Sequence, residues 1–171
     1  EPGGAISVSG ALAIDGSSTL TLHSVSAGSA ALTNTGVLTH LFATLAKTSS
    51  LLLDVGALAV DATSRIDVSA RGYLGGLSGG NGAVGRTIGN TATGGSARRS
   101  GGSYGGIGGY GDVVDFVGAS YGNFRDPREP GSGGGSDCGV GGNGGGLLRI
   151  DATSVQLDGS ILADGGNGTV Q

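Results

Sequence analysis

A short phrase of apolar residues, an aspartate and small polar residues occurs three times along the chain. It covers residues 11–18, 57–64 and 147–154 and reads ALAIDGSS, ALAVDATS and LLRIDATS. Each copy is too short to bury its own apolar face, so neighbouring chain must cover it. Internal similarity of this kind is typical of stacked repeats. We therefore interpret the phrase as the unit around which the fold is organised.

Short apolar runs with alternating side chains surround the first two copies of the phrase. Ile6 and Val8, and likewise Leu20 and Leu22, place every second side chain on one face, which is the period of a β-strand. The residues between the runs are mostly Gly, Ser, Asn and Asp, which favour turns. The pattern predicts an all-β, right-handed parallel β-helix, a solenoid with coils of either about 15 or about 23 residues.

The composition changes in the middle of the chain, where residues 72–146 hold 29 of the 40 glycines. Ordering glycine costs more backbone entropy than ordering any other residue, so this block is either disordered or held by dense hydrogen bonding. Its tyrosines, valines and isoleucines are too apolar for a solvated linker, so we expect an ordered insertion packed on the solenoid, partly in threefold polyglycine geometry. The predicted domains are solenoid coils over 1–71, the insertion over 72–146, and over 147–171 a coil that continues beyond the fragment.

The overall composition restricts the class of protein and its partners. Charged residues make up 13% and aromatic residues 4% of the chain, and the formal net charge is −4. Such a low-charge surface suits an extracellular or cell-surface protein, and the lack of a basic stripe disfavours nucleic acid as a partner. No apolar run reaches the length of a membrane span. The chain has no methionine and opens on Glu1, so we expect a piece of a longer protein.

Several glycine-rich stretches and the corners next to them carry a likeness to a known class of sequence. They are Gly101 to Gly109, Ser120 to Asn123, Pro127 to Gly135, Gly141 to Asp151, and Ile161 to Gly168. Together they resemble the glycine-rich-insert parallel β-helix repeat regions of large secreted or surface proteins of the adhesin and autotransporter-passenger kind. The resemblance implies extracellular placement and a structural or adhesive role, with self-association or neighbouring repeats of the same chain as partners. A filament subunit that assembles by stacking of solenoid coils is one form of this role.

Two other functions stay open beside this non-catalytic, structural or adhesive role. A polysaccharide lyase or glycosidase on a β-helix would use paired carboxylates, and glycine-rich loops hold such pairs poorly. The acids available for it are Asp112, Asp115, Asp126, Glu129 and Asp137. A carbohydrate-binding module would contact a sugar or a partner, such as a cell-surface glycan, through Tyr104, Tyr110 and Tyr121. Those tyrosines serve equally well as anchors of the insertion.

The remaining candidates concern metals and modification. Asp112 and Asp115 follow a glycine-rich run similar to a calcium-binding nonapeptide, but the aspartate comes one place early and no tandem copy follows, so we expect no cofactor, with calcium the alternative. The aspartates of the three phrases, Asp15, Asp61 and Asp151, are expected to cap corners rather than to bind a cation. His23 and His40 lie in no metal-ligand pattern.

Cys138 is the only cysteine of the chain, and it is either a free thiol or a site of intermolecular bonding. Asn167 begins an Asn-Gly-Thr glycosylation sequon.

Overall fold

The computed structural model describes residues 4–169. Their backbone contacts divide them into two compact units. The first unit consists of residues 4–41, 49–68 and 148–163, and it holds nearly all of the strand residues. The second consists of residues 42–48, 69–147 and 164–169, and it contains the glycine-rich block.

Seven parallel strands form one sheet. They are β1 Gly4–Ile14, β2 Thr19–Leu32, β3 Val37–Thr39, β4 Ser50–Val60, β5 Arg65–Asp67, β6 Leu147–Leu157 and β7 Ser160–Leu162. Six of them follow the order β6-β4-β2-β3-β5-β7, and β1 pairs with β2 off this path. The sheet is barrel-like and nearly closed, and the two ends of its path, β6 and β7, are consecutive in the chain. Within residues 4–169 the only helical segment is a single 3₁₀ turn at Ser78–Gly80.

The predicted right-handed parallel β-helix is wrong. The chain is all-β with parallel strands, but the strands belong to a single nearly closed sheet and not to stacked coils of constant length. Leu32 pairs with Ile14, 18 residues before it, and with Val60, 28 residues after it. Ile66 pairs with Ile161, 95 residues after it. Neither predicted coil length fits these separations, because apolar alternation specifies a strand with one buried face but not its partners.

Aliphatic side chains from successive strands fill the interior of the sheet. Ile14, Leu32 and Val60 occupy paired positions on β1, β2 and β4, as Leu38 and Ile66 do on β3 and β5. Each of these five side chains is at most 4% exposed. Full burial of one such side chain contributes about 1.5–3 kcal/mol. The apolar alternation read in the sequence is therefore the alternation that stabilises this unit.

Backbone hydrogen bonds between extended, glycine-rich segments hold the second unit together. Within residues 131–136, successive amides donate in turn to three different neighbouring segments. The amides of Gly131 and Gly134 donate to the carbonyl oxygens of Gly145 and Gly142, respectively. Those of Ser132 and Gly135 donate to Ser103 and Ser100, and those of Gly133 and Ser136 donate to Arg86 and Ala83, in the same order. A donor direction that repeats every three residues is the period of the polyproline II helix. We therefore describe this part of the unit as a bundle of threefold extended segments.

The glycines are required where these segments meet. A Cβ atom at Gly133 would lie 2.2 Å from the carbonyl oxygen of Leu74, and one at Gly75 would lie 2.1 Å from that of Gly141. Collagen needs glycine for the same reason, since only glycine fits where threefold chains crowd together. The hydrogen bonds that each segment makes on several sides offset the entropic cost of ordering so many glycines.

Candidate functional site

The second unit exposes a set of large apolar side chains along residues 107–124. We call this set the apolar loop surface. Its members are Ile107, Tyr110, Val113, Val114, Phe116 and Phe124, which are between 56% and 95% exposed. Scattered exposed apolar residues are normal, but six within one short stretch of chain are a candidate for a binding surface or an aggregation liability.

Hydrogen bonds to the glycine bundle hold these loops in place. The amide of Gly101 donates to the carbonyl oxygen of Gly109 at 2.9 Å. Ser103, which is 2% exposed, accepts a 3.0 Å bond from the amide of Gly108 and donates to the carbonyl oxygen of Gly118 at 2.5 Å. One buried hydroxyl therefore ties two parts of the loop region to the same segment of the bundle.

Phe124, one of the aromatic members, has residues with planar polar side chains next to it in the chain. The guanidinium of Arg125 lies 5.3 Å from the centroid of the Phe124 ring, and the amide of Arg125 donates to the side-chain oxygen of Asn123 at 2.9 Å. Three residues after Arg125, Arg128 forms an ion pair with Asp126 at 2.8 Å. An exposed ring beside amide, carboxylate and guanidinium groups can stack on an apolar face while these groups form directional hydrogen bonds.

Of the three tyrosines predicted to contact a sugar or partner, only Tyr110 belongs to the apolar loop surface, and it is 67% exposed. Tyr104 and Tyr121 are half-buried, and their rings pack edge to face with centroids 5.3 Å apart. Tyr121 also packs against the buried Tyr73, and its hydroxyl donates to the carbonyl oxygen of Pro130 at 2.6 Å. Tyr104 and Tyr121 thus form part of an internal aromatic cluster.

The hydroxyls of this cluster are shielded from water. The hydroxyl of Tyr73 donates to a carboxylate oxygen of Glu129 at 2.7 Å. Burial raises the pKa of Tyr73, and its bond to Glu129 raises that pKa further, while burial together with the neighbouring Tyr73 raises the pKa of Tyr121. Both phenols therefore remain protonated at neutral pH and act here as hydrogen-bond donors.

Three of the five acids that the sequence suggested for catalysis converge on one arginine. The guanidinium of Arg99 lies 3.4 Å from a carboxylate oxygen of Asp112, 3.6 Å from Asp115 and 3.7 Å from Asp137. The side chain of Asp115 is fully buried, and neither of its oxygens has a hydrogen-bond partner within residues 4–169. Arg99 is therefore the charge that balances this buried carboxylate.

The other two acids, Asp126 and Glu129, and the two histidines make their contacts with residues other than Arg99. Asp126 is paired with Arg128, and Glu129 accepts the hydroxyl of Tyr73. His23 is half-buried on β2, and the buried His40 lies with its Nδ1 atom 2.7 Å from the carbonyl oxygen of Leu41. In the described part of the chain, no three His, Cys, Asp or Glu residues are arranged to hold a metal ion. The calcium candidates Asp112 and Asp115 instead contact Arg99.

Asp15 and Asp61 lie at the corner where β1 and β4 end, and both accept hydrogen bonds. Asp15 accepts bonds from the side chains of Asn34 and Thr33, which lower its pKa. Asp61 accepts a 2.7 Å bond from the amide of Asn34, and this bond, together with the side chain of Ser64, holds the pKa of Asp61 well below its usual range. Both carboxylates therefore cap the corner as turn acceptors, with Thr33 at the equivalent position between them.

The third phrase does not place its aspartate at this corner. Asp151 lies inside β6 and is exposed. The equivalent position belongs to Asp158, whose amide donates to Val60 just as the amide of Asp61 donates to Leu32. Sequence reasoning missed this residue, although the triplet Asp-Gly-Ser occurs at both 15–17 and 158–160 and could have identified it.

The two candidate modification sites are both accessible. Cys138 is exposed as a free thiol, next to Asp137 of the Arg99 cluster. Asn167 is exposed, and the sequon residue Thr169 accepts a 3.1 Å bond from the amide of Val140. Intermolecular bonding at Cys138 and glycosylation at Asn167 stay predictions.

Comparisons with protein-family models, with curated proteins and with solved structures found no match for the chain. The adhesin-like resemblance therefore stays an expectation from sequence texture. Across residues 4–169, no helix is long and apolar enough to cross a membrane.

Proposed function

We propose that this chain is a non-catalytic, extracellular adhesive module that binds a cell-surface glycan through the apolar loop surface. The observation that carries the proposal is the exposure of that surface, where Phe124 is 74% and Tyr110 is 67% exposed. Aromatic rings in such positions pack against the apolar faces of sugar rings. The glycine bundle serves as the support that presents them.

The polar groups beside Phe124 favour a glycan as the ligand. In the chain, Asn123 directly precedes Phe124, and Arg125 and Asp126 directly follow it. These three residues supply an amide, a guanidinium and a carboxylate group. A sugar offers hydroxyls that both donate and accept, so it can use all three kinds of group. Glycan binding also agrees with the low charge of the chain, because a neutral ligand needs no strong electrostatic field.

A non-catalytic role is supported by the contacts of the acidic residues. Each of the five candidate acids is engaged by an arginine or a tyrosine of the same unit. A glycosidase needs two carboxylates at a fixed separation across the scissile bond, one of them with a raised pKa. Acids engaged in this way serve to hold loops together, which suits a binding module.

The test is binding of the labelled chain to an array of polysaccharides and surface glycans. We expect the wild type to bind at least one glycan, and the double variant Tyr110→Ala with Phe124→Ala to bind it about tenfold more weakly. Ile88→Ala is the matched control, because Ile88 is 46% exposed in the same unit but outside the apolar loop surface. The control keeps wild-type binding.

Three results would overturn the proposal. Binding that survives the loss of both rings would remove the apolar loop surface from recognition. Shortening of a bound polysaccharide by the wild type, abolished in Asp115→Asn, would favour the enzyme alternative. Binding of the chain to cells but to no glycan on the array would indicate a protein ligand instead of a glycan.

A further inference from the structure

The first unit has strand edges that no strand of residues 4–169 covers. β1 pairs with β2 alone, while β6 and β7 lie at the two ends of the sheet path. An open edge presents a row of amide and carbonyl groups that can pair with another strand. Each of these edges is therefore a candidate interaction surface.

β1 lacks the two commonest features that keep a strand edge from pairing. Its 11 residues, Gly4–Ile14, include no charged side chain and no proline. Proteins usually protect a long edge with charges, prolines or bulges. The register shift between Val8 and Ala11 is a bulge of this kind, but β2 pairs with β1 across it. A strand with the apolar spacing of β2 can therefore pair along the whole of β1.

β6, at the other end of the row β1-β2-β4-β6, has the apolar spacing of β2. Four apolar side chains recur in the same pattern in β2 and in β6. They are Val25, Ala27, Ala30 and Leu32 in β2, and Ile150, Ala152, Val155 and Leu157 in β6. The four in β2 are buried, whereas Val155 and Leu157 are 53% and 45% exposed. β6 thus carries a set of apolar side chains that the chain itself leaves partly uncovered.

The corners and the short strands continue the same match. Asp158-Gly159-Ser160 follows β6 as Asp15-Gly16-Ser17 follows β1. Along the short strands, Leu20 pairs with Leu38, Leu38 with Ile66, and Ile66 with Ile161 on β7. Ile161 is 36% exposed, and Leu20 of a second copy would be the next member of the series.

We infer that a second copy of this chain adds head to tail, with β1 of one copy pairing in parallel with β6 of the other. Thr19–Thr21 of the added copy then pairs with β7. The two copies use different surfaces, so each added copy presents the same free edge to the next one, and the assembly grows into a row of subunits. This inference goes beyond the proposed function, because it involves the first unit only and requires no glycan.

The test uses one variant at each edge. Val155→Lys places a charge on β6, and Val8→Glu places one on β1, where Val8 is 38% exposed. We expect the mass of the wild type, measured by sedimentation, to rise with concentration, and each variant alone to stay monomeric. An equimolar mixture of the two variants should stop at a dimer, because it combines one intact β1 edge with one intact β6 edge.

Leu52→Lys is the matched control, since Leu52 is 37% exposed on β4, which has a strand on each side. It should associate like the wild type. Circular dichroism establishes that each variant is folded, and Leu157→Lys replaces Val155→Lys if that variant is not. Glycan binding measured on monomeric Val155→Lys separates the two proposals, because it should be unchanged.

A wild type that remains monomeric at every concentration would overturn the inference. So would dimerisation of either edge variant alone, because the head-to-tail contact requires an intact β1 edge and an intact β6 edge. A mixture of the variants that stays monomeric would exclude the head-to-tail arrangement.

Discussion

The amide of Asp158 donates a 2.9 Å hydrogen bond to the carbonyl oxygen of Val60. The same bond joins Thr33 to Ile14 and Asp61 to Leu32 at the ends of the preceding strands. The corner is therefore a continuous row of backbone bonds, and the side chain at each position only adds to it. This explains why Thr33 can occupy the corner position between Asp15 and Asp61.

The carboxylate of Asp61 should make the protein sensitive to acid. Its pKa is lowered in the folded chain, so its stabilising contribution is complete above the unfolded value of about 4 and is lost as the pH falls through the lower folded value. We expect the wild type to lose stability progressively below about pH 4 to 5 in urea unfolding, and Asp61→Asn to show a shallower loss. Asp151→Asn, which removes the same charge at an exposed position of β6, is the matched control. Equal slopes for the two variants would contradict this account of the corner.

The glycines inside the bundle should be intolerant of a single methyl group. In Gly133→Ala the new Cβ would meet the carbonyl oxygen of Leu74 at 2.2 Å, so we expect a loss of about 1–3 kcal/mol in the free energy of unfolding, or more. Gly106→Ala is the control, because its Cβ would have no atom within 4 Å. It should change stability by less than about 0.5 kcal/mol. Similar thermal midpoints for both variants would refute the close packing of the segments.

The aromatic cluster predicts an unusual alkaline titration. Burial raises the pKa of both Tyr73 and Tyr121, so absorbance near the phenolate band should show two of the four tyrosines ionising well above the ordinary value of about 10. Because the folded pKa lies above the unfolded one, the associated stability is complete below about pH 10 and is lost as the pH rises further. Tyr73→Phe should remove part of the late step, whereas Tyr110→Phe should retain all of it. A single step for all four phenols would count against the cluster.

Arg99 should stabilise the folded chain chiefly because it pairs with the buried carboxylate of Asp115. Arg99→Ala leaves that carboxylate without its charge partner, and we expect a loss of about 1–3 kcal/mol in the free energy of unfolding. The same substitution made in an Asp115→Asn background should cost clearly less, which a double-mutant cycle measures. Arg128→Ala is the control, because its pair with Asp126 is exposed and is worth less than about 1 kcal/mol. Additive losses would show that Arg99 and Asp115 do not interact.

Much of the first unit could be predicted from local pattern. Alternating residues such as Leu20 and Leu22 indicate strands, and the prediction of an all-β chain with parallel strands is confirmed. The coil length and the β-helix were wrong, because the predicted coils divide the 46 residues between the first two phrases equally, whereas the paired strands divide them into 18 and 28. The phrase at 147–154 shows the reason, since its aspartate lies inside a strand and the corner comes seven residues later, at Asp158.

The sequence by itself determined which residues are apolar, how they alternate and where glycine is dense. It therefore determined that strands form and that close backbone packing is available to residues 72–146. Only the tertiary structure decided that Ile66 pairs with Ile161, that Tyr104 and Tyr121 face each other while Tyr110 faces water, and that one arginine holds three acids. The physical reason is that alternation and turn chemistry act between near neighbours, whereas pairing and burial depend on the free energy of contacts between residues far apart in the chain.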